Sequence, residues 1–190
     1  MKNYIENTLN YHNKQYKKLK FKFQRVHANE DVIRFIAKNK KFIKKNGKIL
    51  DLGCGSGRNL KFFENSGLRS DGLDFSSEGL KLAKKLIKKK STNLILDALP
   101  NMVKIKKYNY VAVIDCFTSF ALTKEDFKIY LTRVNEVLIK KGLFHCQIFS
   151  SRSDLFVNYK PAKKINKYSL KRIKRKNAPF SKDPYLWSFP

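Results

Sequence analysis

Apolar and polar positions along the chain change rhythm repeatedly. Val32, Ile33, Phe35, Ile36, Phe42 and Ile43 recur at helical spacing. Asn29-Glu30-Asp31 in front of them reads as a helix start, an Asn cap with two acids in the first turn. Asn46-Gly47 ends that helix. Short apolar runs then alternate with amphipathic segments. Strands are predicted at Lys48–Leu52, Ser70–Asp74, Asn93–Leu96, Tyr110–Ile114 and Leu143–Phe149. Between them lie a short helix over Asn59–Glu64 and a helix capped by Ser76 or Ser77, with a stripe of Leu80, Leu82, Ala83, Leu86 and Ile87. A further helix opens at the Thr123–Asp126 capping box and buries Phe127, Tyr130, Leu131, Val134, Val137 and Leu138. Lys141-Gly142 is read as the turn into the fifth strand. Strands alternating with helices imply a parallel sheet covered on both faces, and the nearly all-apolar fourth strand fits a doubly buried position.

The ends of the chain differ from this middle. Residues 1–28 are polar and aromatic without Gly or Pro, which predicts an N-terminal helical arm. Residues 29–150 hold the alternating pattern. Residues 151–190 form a basic, irregular C-terminal extension with room for short strands. It is interrupted by Pro161, Pro179, Pro184 and Pro190, with nine basic residues and no acid between Lys160 and Lys176.

The densest chemical signal is Ile49-Leu50-Asp51-Leu52-Gly53-Cys54-Gly55-Ser56-Gly57-Arg58-Asn59. An apolar strand ending in Asp runs into three alternate glycines and then a helix, a place where backbone can turn tightly and pass close to a ligand. The dinucleotide fingerprint needs a glycine where Arg58 stands, so pyrophosphate binding is disfavoured. Three more acids close strands: Asp74 in Gly72-Leu73-Asp74-Phe75-Ser76, Asp97 in Leu96-Asp97-Ala98-Leu99-Pro100, and Asp115 in Ile114-Asp115-Cys116-Phe117. All fall at the carboxyl edge of the predicted sheet, where open α/β sheets bind ligands.

These stretches resemble the Rossmann-like, class I S-adenosylmethionine (SAM)-dependent methyltransferases. The resemblance covers roughly residues 30–150. It implies a three-layer αβα fold with a mainly parallel sheet, SAM as cofactor and methyl transfer as activity. It places Asp51, Gly53, Cys54, Gly55, Gly57 and Asn59 around the cofactor. Asp74 would take the ribose hydroxyls, Phe75 the adenine face, Asp97 the adenine amino group, the Ala98 backbone the adenine ring and Asp115 the SAM amino group. The family's sheet usually ends in two further strands, which 41 residues after strand 5 do not accommodate clearly; they are lacking or altered here. A fifth strand left without a neighbour would offer its edge to another copy.

Composition narrows the rest. No apolar run reaches membrane-spanning length and the first residues lack a signal peptide's apolar core, which predicts a soluble, cytoplasmic protein. Cys54, Cys116 and Cys146 are spaced neither as a zinc site nor as a disulfide framework, so no metal is expected. The net charge of +27 leaves nucleic acid open as a partner, but 34 of the 42 basic residues are Lys, whereas phosphate and base recognition favours Arg. A small-molecule acceptor is the favoured reading. RNA or protein methylation and an inactive SAM-binding subunit or truncated relic stay as alternatives. His12, His27, His145, Tyr11 and Tyr16 are candidate bases, and none is assigned, because an amine that arrives neutral needs no base.

Overall fold

The computed structural model describes residues 3–24, 27–160, 162–171 and 186–188. Helix α1 (Asn3–Leu19) and a 3-10 turn (Lys20–Phe23) form the arm. Helix α2 (Glu30–Asn46) begins where the Asn29 side chain accepts from the Asp31 and Val32 N–H groups. Then follow β1 (Lys48–Leu52), α3 (Arg58–Asn65), β2 (Arg69–Asp74), α4 (Ser77–Leu86), β3 (Leu94–Leu96) and β4 (Tyr110–Cys116). Helix α5 (Lys124–Val137) leads directly into β5 (Leu138–Gln147). Ser76 and Thr123 cap α4 and α5 through their hydroxyls.

The five strands form one sheet in the order β3-β2-β1-β4-β5, all parallel. Successive residues of β1 feed opposite faces. Ile49 packs with Val32, Ile36 and Phe63 of α2 and α3, while Leu50 and Leu52 pack with Tyr130, Val134 and Val137 of α5. Strand order reverses between β1 and β4, which opens a crevice beyond their carboxyl ends.

Two sequence expectations shift here. Leu131 is 42% exposed, because Tyr130, Val134 and Val137 define the buried row of α5 and Leu131 sits off its edge. Leu138 belongs to β5, which starts five residues before the expected Leu143. Lys141, at φ +63°, lies inside that strand where its pairing with β4 slips register, so the predicted turn is an irregularity within a strand.

After β5 the chain leaves the parallel sheet. A short helix α6 (Asp154–Val157) precedes a separate antiparallel sheet of β6 (Lys163–Asn166), β7 (Ser169–Lys171) and β8 (Leu186–Ser188). Among the described residues no strand pairs with the far edge of β5. Phe156 of α6 and Leu170 of β7 instead form an apolar cluster with Phe120, Phe149, Phe117 and Tyr11. Pro161, Pro179, Pro184 and Pro190, and the basic residues from Arg172 to Lys176, lie outside the described residues. No helix among the described residues is long and apolar enough to cross a membrane.

Candidate functional site

A cavity of about 460 Å³ opens at the crevice between the ends of β1 and β4. Its floor is the glycine loop. Gly53 has φ +65°, and a Cβ there would collide with the Thr118 side chain, whose hydroxyl donates to the Leu52 carbonyl at 3.0 Å. Gly57, at φ +86°, lets α4 approach until a Cβ would sit 3.1 Å from that of Ala83. The Gly55 N–H donates to Asp74 Oδ2 at 2.8 Å, and a Cβ on Gly55 would strike the Gln24 amide and the Tyr16 hydroxyl of the arm. Gln24 also accepts from the Ser56 N–H and hydroxyl, so the arm is stapled over the loop.

Three carboxylates line the cavity, each from the tip of a different strand. Asp51 is buried. Its Oδ1 accepts from Asn59 Nδ2 at 3.2 Å, and its Oδ2 has no hydrogen-bond partner among the described residues. Burial pushes its pKa up to about 7, against the pull of the Asn59 hydrogen bond and the Arg58 charge. Asp74 accepts from the Gly55 and Ser76 N–H groups, and burial still lifts it to about 6. Asp97 uses Oδ1 for the Ala98 N–H and Oδ2 for the Lys104 N–H, each at 2.8 Å, holding the loop after β3. A carboxylate has about four lone-pair sites, so Asp74 and Asp97 keep capacity for a ligand.

Phe75, Gly53, Cys54 and Asn59 also line the cavity, whereas Gly55, Gly57, Ala98 and Asp115 do not. Asp115 is fully buried and accepts from the Tyr130 hydroxyl at 2.7 Å and the Thr118 N–H at 3.0 Å, so its carboxylate fixes the turn after β4 to α5. The Ala98 N–H is taken by Asp97. Of the candidate bases, His12 and Tyr16 line the cavity, and His27, His145 and Tyr11 do not. Burial lowers His12 to about 4 and raises Tyr16.

Sequence reasoning missed several walls. Arg58, used there only to exclude a dinucleotide, lines the cavity. Its Nη2 lies 3.7 Å from Cys116 Sγ, and among the described residues no carboxylate ion-pairs with it. Phe117, Phe120 and Phe149 form the far wall. Phe117 directly follows the tip of β4, the one signal that pointed to it.

Residues 49–142 match the family model described as a methyltransferase domain. The chain carries a class I SAM-dependent methyltransferase domain. Solved structures share the fold of this methyltransferase domain. A SAM-dependent methyltransferase from Archaeoglobus fulgidus is 17% identical with a TM-score of 0.54, the match covering 70% of this chain and 58% of that one. The chain thus spans less than two thirds of that archaeal relative. The 1,6-didemethyltoxoflavin-N1-methyltransferase of Burkholderia thailandensis, with bound 1,6-didemethyltoxoflavin and S-adenosylhomocysteine, is 15% identical with a TM-score of 0.67 over 98% of this chain and 71% of that one. DhpI, in a complex with SAM and HEP, is 15% identical with a TM-score of 0.59 over 100% of this chain and 83% of that one. No curated protein sequence matches the chain.

Proposed function

We propose that the protein is a SAM-dependent methyltransferase acting on a small-molecule acceptor. The observation that carries this is buried Asp51, which lines the same cavity as Asp74 and Arg58 and whose Oδ2 has no hydrogen-bond partner among the described residues. A zwitterionic amino-acid end fits that pair, with its ammonium on Asp51 and its carboxylate on Arg58. Asp74 then takes the ribose diol, and Phe75 and Asp97 face the adenine. The amino-group role that the resemblance implied for Asp115 goes to Asp51 in this reading. Asn59 positions Asp51 by holding its other oxygen.

Bound SAM supplies a methyl group made electrophilic by its sulfonium. The chain's own contribution is alignment and exclusion of water. The strand tips hold the cofactor from below, and Tyr16, Phe23 and Gln24 of the arm line the cavity from above. The small-molecule reading draws support from the cavity's size and from the 1,6-didemethyltoxoflavin bound in the Burkholderia relative. The C-terminal residues in the cluster behind Phe120 and Phe149 give the acceptor side a backing, which counts against a truncated relic.

Calorimetry with SAM and S-adenosylhomocysteine tests the reading. Both should bind, and Asp74→Ala should weaken binding by about 10- to 100-fold through loss of hydrogen bonds to a charged group. An Asp74→Ala protein with wild-type affinity would remove the ribose role, and no heat from either ligand would remove the function.

A further inference from the structure

We infer that the acceptor is an uncharged, flat nitrogen heterocycle methylated on a ring nitrogen; this rests on the methyltransferase reading above. The wall that would meet it is aromatic. Phe117 and Phe149 lie 4.8 Å apart between ring centroids at 35°, and Phe120 meets Phe149 edge-on at 5.5 Å and 82°. Phe117 is held at φ +58°, a left-handed backbone that a bulky side chain adopts only under strain. Its N–H is fixed to the Gln147 carbonyl at 2.8 Å, so the surrounding backbone holds that conformation and the ring remains on the cavity wall. Strain kept at a ligand wall points to use of that ring.

Charge gives a second, independent argument. The protein carries +27, yet among the described residues the charged groups lining the cavity are Asp51, Asp74, Asp97 and Arg58. The three carboxylates lie at the tips of β1 to β3, on the side given to the cofactor, and Arg58, from the start of α3, reaches the tip of β4 with Nη2 3.7 Å from Cys116 Sγ. Next to the phenylalanines along the chain the lining is Cys116, Thr118, Ala121 and Leu122, and the arm adds the uncharged Ile5, Thr8 and His12. His12 sits among rings, 5.4 Å from Phe23 and 5.6 Å from Phe75, and burial keeps it neutral. An anionic acceptor would lose its hydration there, and the cation of the described lining, Arg58, is already given to the cofactor's carboxylate. A flat neutral ring would instead stack on Phe117 and Phe149.

The chemistry suits such an acceptor. The lone pair of a pyridine-type nitrogen forms the new N–C bond as the S–CH3 bond breaks. The S–C pair stays on sulfur, and the positive charge moves from sulfur to the ring. No proton leaves, so the absence of an assigned base is consistent. The product cation lies against aromatic faces that attract it.

The test uses the full chain, with isoquinoline and quinoxaline as probes. Isoquinoline-3-carboxylate and a short RNA oligonucleotide serve as charged comparisons. Calorimetry is run on protein saturated with S-adenosylhomocysteine, and methyl transfer from SAM is read by mass spectrometry. The neutral rings should bind and be N-methylated, and the carboxylate should bind about tenfold more weakly or worse. Phe117→Leu and Phe149→Leu keep apolar volume and should each weaken heterocycle binding about tenfold while leaving the SAM affinity unchanged. Preferred binding or methylation of the carboxylate or the RNA overturns the inference, as does a protein that binds S-adenosylhomocysteine but neither ring. A protein that fails to bind S-adenosylhomocysteine overturns the methyltransferase reading itself.

Discussion

Two buried carboxylates on neighbouring strands have opposite fates. Asp71, in β2 opposite Leu50, is saturated: Oδ2 takes Lys48 Nζ at 2.5 Å and the Tyr110 hydroxyl at 2.8 Å, and Oδ1 takes the Asn93 N–H at 3.1 Å. Asp51, one residue further along β1, keeps an oxygen with no partner and sits beside a cavity. Both are 1% exposed, so burial alone does not separate them. What differs is who satisfies the charge. Toward the amino-terminal edge the protein does so itself, and the result is structure. At the carboxyl edge one Asp51 oxygen has no partner among the described residues, which is why the proposed function gives it to a ligand.

The comparison predicts effects of different kinds and sizes. Lys48→Met strands Asp71 with its charge buried. It should cost about 3 kcal/mol of stability, read by denaturant unfolding, while SAM affinity in the folded protein stays unchanged. Asp51→Asn should act the other way. The folded Asp51 holds its proton up to about pH 7, whereas the unfolded group loses it near 3.8. The ligand-free protein therefore loses stability as pH rises from about 4 to 7. Asp51→Asn should remove that loss, raising stability at about pH 8 by about 1–3 kcal/mol, while weakening SAM about tenfold. An unchanged pH–stability profile in the variant would mean that Asp51 does not carry the titration. The smallest effect concerns the wild type. Its SAM affinity should fall as pH drops below about 7, by at most about tenfold per pH unit, because a protonated Asp51 no longer attracts the ammonium. A flat calorimetric profile between about pH 5.5 and 8 would separate the cofactor's ammonium from Asp51.

The sequence made the frame legible because its signals are local. Caps at Asn29, Ser76 and Thr123 each put a side-chain oxygen where backbone donors need one, and the structure uses all three. The start of β5 was hidden because Leu138 continues the apolar pattern of α5, and Lys141-Gly142 looks like a turn whether it ends a strand or buckles one. In the site, strand-tip acids could be found by position, but their direction could not. Asp115 sits as plausibly at a tip as Asp74, yet it turns to Tyr130 and away from the cavity. The vacant lone pair of Asp51 depends on Asn59 reaching only one of its oxygens, a fact of three-dimensional placement. The aromatic wall draws Phe117, Phe120 and Phe149 from segments that meet only once β4 and β5 lie side by side.

Phe156 and Leu170, which belong to the tail beyond the last parallel strand, pack with the phenylalanines of the far wall and lie apart from the carboxylate tips. On the proposed function, mutations in that tail should change acceptor binding and leave SAM affinity unaltered. On the same reading, chimeras that exchange the tail between relatives of this kind would carry new acceptor preferences on an unaltered donor site.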